Sequence, residues 1–124
     1  MRKRFIESCA FTDAVQQFVD EDTYAAFQRQ LLAQPDRGKV IPGCGGLRKI
    51  RVGDPMRRKG KRGGARVIYL HVPEADWIYL LDIYGKDEKD DLSATEKKVL
   101  KSLAEEFKKE AIRATSGPMK RSTK

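Results

Sequence analysis

The side chains best suited to chemistry in this sequence are four cations and a tyrosine, at Lys49, Arg51, Arg66, Lys86 and Tyr84. Alternate residues of a β-strand share a face, so Lys49 and Arg51 are predicted to point the same way, as are Tyr84 and Lys86. Arginine grips two phosphate oxygens at once, whereas lysine is a movable point charge that can also release a proton. Placed together, these groups could stabilise a phosphorane and transfer a proton without a metal or another cofactor.

Positive charge is concentrated in one short segment. Residues 48–66 hold nine basic side chains and one acid, a balance equal to the formal net charge of +8 of the whole chain. Such a field holds polyanions, of which nucleic acid is the commonest. A solvated, flexible basic loop is the alternative interpretation. We expect the other cations of the segment to bind RNA, namely Arg48, Arg57, Arg58, Lys59, Lys61 and Arg62.

The composition predicts a single soluble domain in the cytoplasm. The chain has 124 residues, 40% of them hydrophobic and 35% charged, which suits one ordinary core with a heavily ionised surface. Two cysteines are too few for a disulfide framework or a zinc site, so reduced thiols are expected. The longest apolar run, residues 77–81, is far too short to span a membrane.

The other polar clusters favour no second mechanism. One histidine, His71, excludes a two-histidine nuclease and is expected to be structural. The acidic run from Asp87 to Asp91 precedes a predicted helix start, where carboxylates complement the helix dipole. No metal site is therefore predicted.

The pattern of apolar residues predicts an α+β fold. A short strand over residues 3–8 is followed by a helix to about Val19 and a second helix over residues 21–34, with Asp20 as N-cap. Strands are predicted over residues 46–52, 65–72 and 77–85, the last two forming a hairpin.

The last helix carries the clearest signals. Ser93 and Glu96 have the spacing of a capping box. An apolar stripe follows, formed by Leu100, Leu103, Ala104, Phe107 and Ala111. Residues 1–114 are expected to form one domain, and residues 115–124 a disordered basic tail.

Three stretches resemble a known family. VIPGCGGLRKIRV, GKRGGARVIY and IYLLDIYGKDEKDDLSATEKK are similar to the HigB-type toxins of the RelE superfamily, from bacterial type II toxin–antitoxin modules. The resemblance covers about residues 5–111. It implies a RelE-like fold, with N-terminal helices packed on one face of a small antiparallel sheet and a C-terminal helix.

The same resemblance implies a ribosome-dependent endoribonuclease that cuts messenger RNA in the A site. The substrate's own 2′-OH attacks the adjacent phosphorus without a metal. Lys49 and Arg51 then correspond to the strand cations of the superfamily, and Arg66 to the arginine that stabilises the transition state. Tyr84 and Lys86 become candidates for base contact and proton transfer.

The sequence departs from the best-known RelE proteins at two places. Asp87 stands where they have an arginine, and residues 91–93 lack their catalytic tyrosine. The general base is therefore open between Lys86 and Lys49. The basic segment from Arg57 to Arg62 is expected to bind ribosomal RNA.

The resemblance also implies partners. These are a HigA-like helix-turn-helix antitoxin and the 70S ribosome with its mRNA, while operator DNA is bound only through the antitoxin complex. No membrane partner is expected. Two alternative functions remain open. A non-catalytic RNA- or ribosome-binding module would have the same charge distribution, and a ParE-like gyrase inhibitor would have the same fold.

Overall fold

The computed structural model describes residues 3–52, 65–85 and 92–121. Five strands and three helices lie in this part of the chain. They are β1 (Arg4–Glu7), α1 (Cys9–Phe18), α2 (Glu21–Ala33), β2 (Lys39–Val40), β3 (Arg48–Val52), β4 (Ala65–Val72), β5 (Trp77–Gly85) and α3 (Ala94–Arg121).

Each helix begins at a side chain able to accept hydrogen bonds from its first turn. The Ser8 hydroxyl accepts from the Phe11 N–H, and the Asp20 carboxylate accepts from the Thr23 N–H. At α3 the predicted capping box is confirmed, because Ser93 Oγ accepts from the Glu96 N–H at 3.1 Å and Glu96 Oε1 accepts from the Ser93 N–H at 2.9 Å.

The strands form one mixed sheet in the order β1-β5-β4-β3-β2. Neighbours from β2 to β5 run antiparallel, as predicted, whereas β1 joins β5 in parallel. A parallel neighbour needs a long crossover, and the chain from α1 through β4 supplies it. The predicted α+β class is confirmed, and the short strand β2 lies between the helix and the strand that were predicted over residues 21–34 and 46–52.

The sheet has a separate core on each face. One contains Phe11, Val15, Phe27 and Leu31 of α1 and α2, packed against residues such as Tyr69 and Leu80. On the other face Ala104 and Ala111 of α3 pack with Leu70 and Tyr79. This arrangement confirms that the N-terminal helices lie on one face, and it assigns the C-terminal helix to the other.

A β-bulge in β5 changes which of its side chains share a face. Ile68 pairs with Asp82, but Tyr69 pairs with Leu80, so Leu81 is the extra residue. Without a bulge, strict alternation along β5 would put Tyr79 and Leu81 on the face opposite Tyr84. Because the bulge shifts the alternation by one residue, all three belong to the core beneath α3.

The sequence predicted that the last helix ends before Thr115. In the structure, helix α3 continues to Arg121. The Thr115 hydroxyl donates to the Ala111 carbonyl at 2.9 Å, a bond made within the helix. Residues 122–124 of the predicted tail lie outside the described residues. In the described part of the chain, no helix combines the length and the apolar character needed to cross a membrane.

Candidate active site

Three of the predicted site residues form a row across neighbouring strands. Arg51 of β3 pairs with Arg66 of β4, and Arg66 pairs with Tyr84 of β5. Directly paired residues have Cβ atoms about 4.5–5.5 Å apart and point to the same face. Each of the three stands one residue from the end of its strand, so the row lies at one end of the sheet.

Exposure decreases along this row, from β3 to β5. Arg51 is exposed, Arg66 is partly exposed, and Tyr84 is only 4% exposed. Nη1 of Arg66 and the hydroxyl of Tyr84 are buried atoms. The row therefore offers a ligand the guanidinium groups rather than the tyrosine ring, and a base has little of that ring to stack on.

A second row lies next to the first on the same face. Lys39 of β2 pairs with Lys49 of β3, Lys49 pairs with Ile68, and Ile68 pairs with Asp82. Lys49 is two residues from Arg51 on β3, a separation of roughly 7 Å along the strand. Asp82 is the acid of this row, and its Oδ1 accepts from the Ile83 N–H at 2.9 Å beside the bulge.

The Lys39–Lys49 pair opens into a cleft of about 610 Å³ between the sheet edge and the first turn of α3. Three lysines line it, Lys39, Lys49 and Lys97. Its apolar lining is formed by Val40, Ile41, Pro42 and Leu92. The sequence indicated neither Lys39 nor Lys97, because the pairing of β2 and the position of α3 decide both. In the sequence, Lys39 is one lysine of a glycine- and proline-containing segment and Lys97 is one of several lysines in a helix, and neither pattern indicates a binding site.

Arg48 lies on the opposite face of β3. Its Nη1 donates to the Gly38 carbonyl at 2.7 Å and to the Asp36 carbonyl at 3.0 Å. Tyr69, its partner on β4, donates its hydroxyl proton to the Pro35 carbonyl and accepts from the Gly38 N–H. The predicted RNA-binding residue Arg48 therefore holds the segment after α2 against the sheet, away from the two rows.

His71 belongs to the same group of contacts. Its Nδ1 lies 3.0 Å from Oδ1 of Asp36, and its side chain is 9% exposed. Asp36 also lies 3.6 Å from the Arg48 guanidinium. These contacts agree with the structural assignment made from the sequence.

Burial raises the pKa of two tyrosines in this sheet, Tyr69 and Tyr79. Burial raises the pKa of Tyr69, against smaller lowering effects from the Gly38 hydrogen bond and the Arg48 charge. The pKa of Tyr79 is raised to about 12 by burial and by the nearby Glu110 carboxylate. Neither hydroxyl is part of the two rows.

Several predicted site residues lie outside the described residues. These are Lys86, which follows β5 directly, and the basic segment with Arg57, Arg58, Lys59, Lys61 and Arg62. The acidic run from Asp87 to Asp91 is outside as well. The described residues Val52, Ala65 and Gly85, which stand next to these segments in the sequence, lie at the end of the sheet where the Arg51–Arg66–Tyr84 row lies.

Comparison with known families agrees with this architecture. A family described as the RelE toxin of the RelE / RelB toxin-antitoxin system matches residues 36–116. The match begins in the segment held by Arg48 and Tyr69 and contains β2 to β5, both rows, and most of α3. Members of this family act as toxins and are paired with an antitoxin. The chain therefore belongs to the RelE toxin family of toxin–antitoxin systems.

Proposed function

We propose that this toxin is a HigB-type, ribosome-dependent endoribonuclease that cuts messenger RNA in the ribosomal A site. The observation that carries the proposal is the direct pairing of Arg51 with Arg66 at the end of the sheet. Like charges placed opposite each other destabilise a sheet, whereas a phosphodiester between them is bound by both. Membership of the RelE toxin family supports RNA as the source of that phosphodiester.

The proposed reaction uses the substrate's own nucleophile. The ribose 2′-oxygen forms a bond to the adjacent phosphorus while the bond from phosphorus to the 5′-oxygen breaks. The products are a 2′,3′-cyclic phosphate and a 5′-OH end. A base removes the 2′-OH proton and an acid protonates the leaving oxygen, so atoms and charge balance.

Each residue of the first row receives a distinct role in this proposal. The two guanidiniums stabilise the extra negative charge on the pentacovalent phosphorus. Tyr84, buried beside Arg66, acts as a positioning residue for it. Proton transfer is assigned to the lysines, with Lys49 and Lys86 as the two candidates for the base.

The proposal includes the partners of the reaction. The 70S ribosome presents the message, and the basic segment with Arg57 to Arg62 binds ribosomal RNA. A HigA-like helix-turn-helix antitoxin neutralises the toxin, and operator DNA is bound through that complex alone. Action on translating ribosomes places the protein in the cytoplasm.

Mapping of message ends in cells tests the proposal. Wild type, Arg66→Ala and Arg29→Ala are induced at equal levels, and 5′ ends of messages are sequenced. Arg29 is an exposed cation of α2, which packs on the opposite face, so it is the matched control. We expect cuts inside translated codons with wild type and Arg29→Ala, and none with Arg66→Ala.

Other outcomes would identify the alternatives. Growth arrest with intact messages and DNA breaks would point to a ParE-like gyrase inhibitor. Arrest with intact messages and intact DNA, together with toxin bound to ribosomes, would point to a non-catalytic ribosome-binding module.

A further inference from the structure

We infer that the cleft between β2, β3 and α3 is a binding site for the nucleotide next to the scissile phosphodiester. The cleft is lined by Lys39, Lys49 and Lys97. The inference rests on the proposed function and extends it, because it assigns a substrate subsite to residues outside the Arg51–Arg66–Tyr84 row.

The residues that line the cleft complement a nucleotide better than a simple anion. Three lysines from three different elements supply positive charge for phosphate. The apolar side of the cleft, formed by Val40, Ile41, Pro42 and Leu92, suits the face of a base. A volume of about 610 Å³ falls within the roughly 300–1,000 Å³ typical of small-molecule sites.

The position of the cleft relative to the first row supports one continuous strand of RNA. Lys49 lines the cleft and stands two residues before Arg51 on the same face of β3. The distance of roughly 7 Å between Lys49 and Arg51 along β3 is comparable with the distance between successive phosphates of an extended RNA strand. A phosphate held at Arg51 and Arg66 therefore places its neighbour at Lys49.

The walls of the cleft are fixed by backbone contacts. The Ile41 N–H donates to the Leu47 carbonyl at 2.9 Å, which closes the loop between β2 and β3. Gly45 in this loop has φ +70°, and a Cβ placed there would lie 3.3 Å from Cβ of Ala104. The loop and α3 are therefore in close contact at Gly45 and Ala104, and this packing brings the start of α3, with Lys97, to the edge of the sheet.

The acid nearest in sequence to Lys97 is already engaged. Glu96 accepts from the Ser93 N–H in the capping box at the start of α3. Its carboxylate serves the helix end, and Lys97, one position along, is the residue that lines the cleft.

Binding of adenosine 3′,5′-bisphosphate to the free full-length toxin tests the inference without ribosomes. Backbone amide NMR shifts are followed during titration of wild type, Lys39→Ala, Lys97→Ala and Lys98→Ala. Lys98 is exposed on α3 and does not line the cleft, so it is the matched control. We expect saturable shifts around Lys39, Lys49 and Lys97, with about tenfold weaker binding in each cleft variant and no change in Lys98→Ala.

Inorganic phosphate separates a nucleotide site from an anion site. We expect it to bind at least tenfold more weakly than the bisphosphate nucleoside, because it leaves the apolar lining uncovered. Equal binding of the two, shifts spread over all exposed lysines, or equal weakening in Lys97→Ala and Lys98→Ala would overturn the inference.

A kinetic arm separates this inference from the proposed function. On programmed ribosomes, Lys97→Ala is expected to raise KM about tenfold and to leave kcat unchanged, because Lys97 is outside the reacting row. A fall in kcat with KM unchanged would overturn the subsite assignment. Nucleotide binding in the cleft together with no cleavage by wild type would refute the endoribonuclease proposal alone.

Discussion

Arg51 and Arg66 face each other directly across the ladder between β3 and β4. Like charges placed directly opposite each other destabilise a sheet. A second pair of like charges, Lys39 and Lys49, lies two residues away on the same face. The protein thus keeps cations opposite each other where opposite charges would favour folding, and a polyanionic substrate is the proposed reason.

Removal of Arg66 is expected to abolish most of the chemistry. Arg66→Ala should lower kcat on programmed ribosomes about 10²–10³-fold, the usual effect of losing one preorganised donor to a transition state. Arg66→Lys should recover only part of this loss, because lysine cannot grip two oxygens at once. Initial rates of message cleavage, with Arg29→Ala as control, provide the measurement. A kcat unchanged in Arg66→Ala would remove this residue from the site.

Removal of Arg51 is expected to separate stability from activity. Arg51→Gln should raise the free energy of unfolding by up to about 1 kcal/mol at low ionic strength, because it relieves the repulsion with Arg66. The gain should shrink as salt screens exposed charges. Urea denaturation at two salt concentrations measures it. The same variant should cleave more slowly, and a variant both less stable and fully active would contradict the assignment.

The contacts of Arg48 predict a structural role. Arg48→Ala should lower the free energy of unfolding by about 1–2 kcal/mol, because it leaves the part-buried Gly38 carbonyl without its charged donor. Tyr69→Phe should have a similar effect through Pro35 and Gly38. Denaturant titration gives the stability, and cleavage rates corrected for the folded fraction should match wild type. A corrected rate that fell as far as in Arg66→Ala would instead place Arg48 in contact with RNA.

The raised pKa of Tyr79 predicts a loss of stability in alkali. A phenol whose pKa is 10.0 when unfolded and about 12 when folded favours the native state below pH 10. That contribution, of the order of 1 kcal/mol once solvent screening is allowed for, is lost as the pH rises from about 10 to about 12. Tyr79→Phe keeps the ring stacked on Phe107, at 4.4 Å between centroids, and removes the ionisable group.

Denaturation of wild type and Tyr79→Phe between pH 8 and pH 12 measures the effect. We expect the stability difference between the two proteins to be constant below pH 10 and to change above it in favour of the variant. Parallel curves across the whole range would show that Tyr79 ionises equally easily in both states.

Periodicity and capping were enough to predict most elements from the sequence. Ser93 and Glu96 fix the start of α3 locally, and the β-branched and aromatic residues of β4 and β5 fix both strands. The parallel pairing of β1 was not predictable in this way, because its partner β5 is about 70 residues away. The bulge at Leu81 was equally hidden, since one extra residue leaves the composition of β5 unchanged.

The site was predicted only in part, because local alternation can be read from the sequence whereas register and tertiary packing cannot. Alternation correctly put Lys49 and Arg51 on one face of β3. Which residue of β4 would meet Arg51 depends on register, and the register appeared only with the structure. Lys39 and Lys97 were missed, because a cleft between a sheet edge and a helix is formed by tertiary packing alone.

The chemistry of the cut ends tests the central claim most directly. A message with a single codon in the ribosomal A site is prepared with ribose, or with 2′-deoxyribose, at the nucleotide before the scissile bond. The proposal predicts that wild-type toxin cuts the ribose message to a 2′,3′-cyclic phosphate and a 5′-OH and leaves the deoxy message intact. Cleavage of the deoxy message, or products with a 5′-phosphate, would contradict attack by the 2′-OH between Arg51 and Arg66.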